Sequence, residues 1–238
     1  MSLHRILILD YSVDKTEAFY TKQWLPENSD IITLFIDTEA SFPDDLLEKG
    51  FTHVIHTGSA LSITKTAPFT KRAVNFIQGA RDRGIPQMGI CYGAQLLCLA
   101  LVGDHAVRSS PNGLEAGWRE IRFINSALNV LEVKELETVW QEHFDEVIEL
   151  PEGSELLATN EHTQVQAFVN YEHLLLGTQF HPEFDKESGD KLFQKDKECL
   201  ERHGFDLQEI LSHGPSFDVG RTFFDFFLAF KPKYESDK

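Results

Sequence analysis

Residues 87–101 read QMGICYGAQLLCLAL, and this stretch decides the fold. Its first four residues are a short buried strand. Residues 92–101 are a nonpolar helix, and Cys91 alone separates the two. A strand that passes straight into a helix must turn sharply. Gly89 and Gly93, two residues either side of Cys91, remove the side chains that would obstruct that turn. Gly-x-Cys-x-Gly thus follows the logic of the Gly-x-Ser-x-Gly elbow, which pushes its central side chain up and out. Backbone N–H groups opening the helix face the same point. Their partial positive charge is predicted to lower the Cys91 pKa, and the Tyr92 N–H is a natural oxyanion donor. Taken alone, the same residues also fit a small buried cysteine with glycines that only permit close packing. Cys98 and Cys199 are read as core residues of that kind.

Upstream of the elbow, strand and helix patterns alternate. Strands are predicted over 5–10 (RILILD), 30–37 (DIITLFID) and 53–56 (HVIH), with a helical pattern through Ala18, Phe19, Trp24 and Leu25. Residues 68–83 form a helix with Pro68 in its first turn and Gly84 as its stop. Short loops between such elements imply parallel βαβ units with helices on both faces of a sheet.

Downstream the pattern changes. Strand candidates at 118–124, 146–150, 155–159, 165–169 and 174–180 follow one another with turn residues between them, an antiparallel arrangement. A charged helix over 188–203 and an apolar one over 221–230 close the chain, and residues 231–238 are expected to fray. The segment 184–220 reads either as a lid or partner surface or as a solvated helix on the sheet edge; its alternating charges favour the second. With no repeat or linker, residues 1–238 are expected to form one domain.

Composition narrows the function. The chain has 238 residues and a formal net charge of -16, with 42% hydrophobic and 25% charged residues. Such an acidic surface repels nucleic acid and anionic membranes, so neither is an expected partner. No apolar run reaches the roughly 18 residues of a membrane span. Three scattered cysteines suggest no disulfide framework and no zinc spacing, and a cytoplasmic location is expected. The ten histidines carry no metal pattern, and His53 and His56 are read as structural. Asp10, ending the first strand, fits a loop cap or a cleft residue. No metal and no cofactor are expected.

The second informative stretch is Gln179-Phe180-His181-Pro182-Glu183. Proline holds the preceding His181 extended, and in extended chain residues i and i+2 project to one side. The Glu183 carboxylate can then accept from one ring nitrogen of His181, leaving the other to take a proton from a thiol. In isolation the tripeptide also fits a solvated loop after a strand.

The two motifs together, in this order and separation, resemble the class I, triad-type glutamine amidotransferases. The resemblance runs from about Ile6 to Phe230. It includes Gln95-Leu96-Leu97 after the nucleophile motif and the Glu115-Ala116-Gly117-Trp118 segment. Residues 141–147 (QEHFDEV), followed by Leu150-Pro151, are similar to the family's Ser-His-x-Asp-x-Val. It implies a three-layer, flavodoxin-like α/β fold with a mixed central sheet and an additional antiparallel portion. It further implies Cys91 as nucleophile, His181 as general base and acid, Glu183 as its orienter and Gln95 as a ligand of the glutamyl moiety. The second oxyanion donor would come from Gly58 and Ser59 in Thr57-Gly58-Ser59-Ala60, which departs from the family's commoner Ser-Gly-Gly-Pro. His143 and Asp145 would lie at the active-site mouth, or else form a solvated pair in a loop.

The implied substrate is a small molecule, glutamine or another γ-glutamyl compound, cleaved through a glutamyl thioester. No phosphate-binding glycine motif is present, so an ATP-using ammonia acceptor would be a separate synthetase protein. Two further readings stand beside this one: an autonomous γ-glutamyl peptide hydrolase, and a non-catalytic binding protein on the same fold.

Overall fold

The computed structural model describes residues 4–215, 217 and 219–232. The first half contains β1 (Arg5–Asp10), α1 (Glu17–Lys22), β2 (Asp30–Phe35), β3 (His53–His56), α2 (Thr70–Asp82), β4 (Gln87–Ile90) and α3 (Tyr92–Leu101). Next come β5 (Val107–Ser109), β6 (Glu115–Phe123), α4 (Asn125–Leu128), β7 (Leu136–His143), β8 (Asp145–Val147) and β9 (Glu155–Thr159). The remainder is β10 (Ala167–Asn170), β11 (Leu175–Thr178), α5 (Lys186–Lys195), α6 (Lys197–Arg202), α7 (Leu207–Ser212) and α8 (Val219–Leu228).

Nine strands form one mixed sheet in the order β2-β1-β3-β4-β11-β10-β9-β6-β7, and β5 pairs with β8 in a small antiparallel sheet. Pairings from β2 to β4 are parallel, as the alternating pattern predicts. Those among β6, β7, β9, β10 and β11 are antiparallel. One junction departs from the antiparallel expectation, because β11 lies parallel to β4. That junction welds the two halves of the sequence into one sheet.

Period-two alternation assigns the two faces. On β1, Leu7 and Leu9 join the apolar cluster made with α2 and α3, while Ile6 and Ile8 join the one made with α8. Phe223, Phe224 and Phe227 of α8 are fully buried there, each worth roughly 1.5–3 kcal/mol of transfer free energy. These are the three layers that the resemblance implies.

The structure revises several element boundaries. β7 and β5 lie outside the predicted strands, and β6 begins at Glu115 rather than at residue 118. In β7 the buried positions include Glu137, Gln141 and His143, so polar side chains sit where an apolar alternation would announce a strand. The predicted strand 146–150 is the shorter β8. The predicted helix 188–203 is two helices, broken at Asp196, which ends α5 and opens α6.

The 184–220 segment does pack at the sheet edge, on β6 and β7, but through a buried apolar face rather than as a solvated helix. Phe184, Phe193, Leu200, Leu207 and Ile210 make a third apolar cluster with Trp118 and Trp140 of the sheet. Trp118 Nε1 donates to Asp190 Oδ1 at 2.8 Å and Trp140 Nε1 to the Gly189 carbonyl at 3.1 Å. The expected fraying of 231–238 lies outside the described residues from 233 onward.

Candidate active site

The site forms at the carboxyl ends of β4 and β11, parallel neighbours in the middle of the sheet. Ile90 pairs with Thr178, so the residues that follow each strand emerge side by side: Cys91 after β4, and Gln179 to Glu183 after β11. The Cys91 N–H donates to the Thr178 carbonyl at 2.7 Å. Cys91 has φ 49° and ψ -107°, a positive-φ conformation that costs a non-glycine residue of order 1–3 kcal/mol. The flanking glycines are required sterically. A Cβ on Gly93 would stand 2.1 Å from the His56 carbonyl oxygen, and one on Gly89 would stand 2.6 Å from the Gly93 backbone.

His181 is held on every side. Its N–H donates to the Trp140 carbonyl at 3.1 Å, its ring stacks on Phe184 at 5.0 Å, and the Trp140 ring meets it edge-on at 4.8 Å. Nδ1 bonds Glu183 Oε1 at 2.7 Å, the i, i+2 contact predicted from the proline. The Glu183 carbonyl in turn accepts from Gln23 Nε2 and Trp24 Nε1. Burial lowers the His181 pKa to about 4 and raises that of Glu183.

Among the described residues no hydrogen bond joins Cys91 directly to His181. Sγ instead accepts from Gln179 Nε2 at 3.6 Å, and Gln179 Oε1 accepts from Gln95 Nε2 at 3.1 Å. Gln95 Nε2 also donates to the Asp145 carbonyl at 2.8 Å. Both amide donors of the residue expected to bind a glutamyl group are thus engaged within the chain. Sequence reasoning misses Gln179, although it lies two residues before His181 in the same extended run.

The loop after β3 faces the elbow. The backbone N–H groups of Gly58 and Ser59 have no acceptor among the described residues, which suits the oxyanion role the resemblance implies. Ser59 Oγ donates to the Tyr11 carbonyl at 2.8 Å. Asp145 pins the loop: Oδ2 accepts from Ser62 Oγ at 2.6 Å and from the Ile63 N–H at 2.9 Å, and Oδ1 accepts from Ser109 Oγ. His143 bonds the Asp145 carbonyl through Nδ1 and Glu115 Oε2 through Nε2. Both residues are buried, which overturns the solvated-pair alternative.

Two cavities adjoin here. One, of about 320 Å³, is lined by Cys91, Gln95, His143 and Asp145; the other, of about 250 Å³, by Glu17, Trp140 and His181. Ser59, Ala60, Glu142 and Asp196 belong to both. Cys199, read as core from sequence, is half-buried on α6 and lines the first cavity.

The charges here correct the thiolate expectation. Burial first, then the carboxylates of Glu17 and Glu183, raise the Cys91 pKa; a hydrogen bond from the Tyr92 backbone lowers it but does not prevail. Glu142 is likewise pushed up to about 8 by burial and by Asp196. The helix start is a local effect, and desolvation at a buried sulfur outweighs it.

Among the described residues two clusters gather three ligand-type atoms within 4.8 Å: Glu115, His143 and His162, and Glu17, His181 and Glu183. Glu115–His143 at 2.9 Å and Glu183–His181 at 2.7 Å are hydrogen-bonded pairs, and neither cluster is read as a metal centre. His53 and His56 are buried. His56 bonds Tyr11 OH and Gln87 Oε1, and His53 bonds the Phe230 carbonyl, as structural residues would. Asp10 is a loop cap, accepting from the N–H groups of Ser12 and Ala18. No helix among the described residues is long and apolar enough to cross a membrane.

Comparison with known proteins adds the following. The sequence profile of "Glutamine amidotransferase class-I" matches residues 36–198. A glutamine-hydrolyzing GMP synthase of Clostridium botulinum is 33% identical over 142 residues, covering 60% of this chain and only 26% of that protein. A glutamine-hydrolyzing GMP synthase subunit of Sulfolobus acidocaldarius is 29% identical over 168 residues, covering 69% of this chain and 86% of that one. In structure, a glutamine amidotransferase from Thermotoga maritima superposes with a TM-score of 0.74 at 21% identity, covering 95% of both chains.

Proposed function

The chain belongs to the class I glutamine amidotransferase family, and on that premise we propose that Cys91 cleaves the side-chain amide of glutamine, or of a γ-glutamyl compound, and that the ammonia passes to a separate synthetase. The observation that carries this reading is the β4–β11 register, which brings Cys91 and the bonded His181–Glu183 pair to one end of the sheet. The Sulfolobus relative, named as one subunit of a glutamine-hydrolyzing synthase, supports the partner.

In the proposed reaction the Cys91 sulfur forms a bond to the amide carbon while its proton moves to Nε2 of His181. Because burial holds the thiol protonated, proton removal accompanies attack rather than preceding it. The oxygen of the tetrahedral adduct accepts from the Tyr92 N–H and from the N–H groups of Gly58 and Ser59. The adduct collapses as the C–N bond breaks, and His181 returns its proton to the departing ammonia. Water then attacks the thioester, giving its proton to His181, and glutamate and the free thiol result.

Treatment with a diazo-ketone glutamine analogue tests this. Intact-protein mass spectrometry should show one adduct, on Cys91, that requires His181. Adduct on Cys98 or Cys199 instead would overturn the assignment.

A second reading, an autonomous γ-glutamyl hydrolase, is favoured by the adjoining cavities on either side of Ser59 and Ala60, which leave room beyond a primary amide. Ammonia, amine and glutamate release from glutamine and a panel of γ-glutamyl peptides, without any partner, separates the two. Turnover of the peptides alone favours the second. Slow glutamine turnover that rises on adding a synthetase favours the first. A Cys91→Ala chain that keeps its cellular role would instead mark a binding protein.

A further inference from the structure

Among the described residues three buried carboxylate oxygens at this site have no hydrogen-bond partner, Glu17 Oε2, Glu183 Oε2 and, across the cleft, Glu142 Oε2. The first two belong to one cluster. Glu17, His181 and Glu183 each place a ligand-type atom within 4.8 Å of the others, Glu17 Oε2 lies 3.9 Å from His181 Nδ1, and Glu183 uses its other oxygen on that same nitrogen. Two carboxylates this close and this dry do not both ionise, because each charge is desolvated and repelled by the other. One proton between the two orphaned oxygens satisfies both.

We propose that Glu17 is a positioning residue of the site: its carboxyl and that of Glu183 share one proton, so the pair presents a single negative charge to His181. This rests on the reading of His181 as the base for Cys91.

Glu17 is held in place by the chain around it. Asp10, at the end of β1, accepts from the Ala18 N–H at 2.9 Å and from the Ser12 N–H and Oγ, which fixes the loop into α1. The groups facing the pair account for its charge. Asp10 approaches from β1, His181 from the segment after β11, and Cys91 from the elbow. Glu142 of β7 acts on Cys91 from across the cleft. Lys195, which lines the same cavity, is paired with Asp14 at 2.6 Å on the rim. Burial, and then the repulsion of Glu183, raises the Glu17 pKa well above the ordinary carboxylate range, which keeps the shared proton bound near neutrality.

When that proton leaves at higher pH, a second negative charge appears beside His181 and Cys91. It favours the imidazolium and disfavours the thiolate, so the alkaline response of the site includes a group that is neither the thiol nor the imidazole.

The test compares full-length wild type with Glu17→Gln in two measurements. The first is the infrared difference spectrum at neutral pH in the carbonyl region of protonated carboxyls. The second is the pH dependence of Cys91 alkylation by iodoacetamide, followed by intact mass. We expect the difference spectrum to contain a protonated-carboxyl band lost in Glu17→Gln. We expect the alkylation midpoint to fall by about one pH unit, because the second charge can no longer form beside the thiol. Absence of that band, or superimposable alkylation profiles, overturns the proposal. Glu17→Asp, which retains a carboxyl on a shorter arm, supplies the same comparison should Glu17→Gln fail to fold: a displaced band and midpoint support it, unchanged ones overturn it. Neither measurement uses glutamine. A chain inert to the diazo-ketone analogue but showing both Glu17 effects would refute the glutaminase reading alone.

Discussion

Gly58 and His181 touch edge-on: a Cβ built on Gly58 would stand 2.6 Å from Cε1 of the imidazole. The loop carrying the candidate oxyanion donors and the candidate base are therefore fixed relative to each other by contact, although 123 residues of sequence numbering (58 to 181) separate them.

Gly58→Ala should displace the imidazole or the loop. Loss of alignment alone is expected to lower kcat of glutamine hydrolysis by about 100-fold, with the thermal midpoint changed little. A variant with wild-type kcat would show that the contact yields without consequence.

Asp145 accepts three hydrogen bonds, from Ser62 Oγ, the Ile63 N–H and Ser109 Oγ, while buried. Asp145→Ala leaves those donors unpaired and should cost about 2–4 kcal/mol in urea unfolding. Hydrogen exchange should rise first at Ile63. Unchanged protection there would mean that the loop is held by something else.

Gln179 Nε2 is a side-chain donor that reaches the Cys91 sulfur. Replacing the amide by a carboxylate in Gln179→Glu puts another negative charge beside a thiol already raised by burial. Alkylation at pH 8 should slow by about tenfold, the equivalent of one pKa unit, and Gln179→Leu should slow it less. Equal rates in the two variants would indicate packing rather than charge.

His56 is buried and neutral, its pKa lowered by burial to about 4. The unfolded chain takes up a proton near pH 6.5 that the folded one refuses until about pH 4. Stability from this group is therefore complete above pH 6.5 and is lost as pH falls through that window. Between about pH 6.5 and 4.5, His56→Gln should lose about 2 kcal/mol less than wild type in denaturant unfolding. Parallel slopes would mean that His56 is already charged in the fold.

The features legible in the sequence are those set by backbone geometry. The β4–α3 elbow is written in Gly89 and Gly93, because no other residue fits there, and the His181–Glu183 contact follows from Pro182. β7 is illegible because its buried positions hold Glu137, Gln141 and His143, on a strand whose neighbours the sequence does not show. Glu17 and Gln179 gain their significance only from neighbours far along the chain, His181 and Cys91 respectively. The expected lowering of the Cys91 pKa fails because the helix start is local and visible, whereas the burial that outweighs it is supplied by the whole fold.

The parallel seating of β11 between β4 and β10 sets the timing of assembly. A chain emerging from the ribosome completes β1 to β4 and the elbow while the far edge of β4 has no partner, since Leu175–Thr178 are still unmade. The last strand must then enter the middle of the sheet, closing a long loop before its contacts are gained, a slow kind of step. The sulfur thus waits unarmed through most of synthesis, and the completed central strand both seals the sheet and delivers the imidazole.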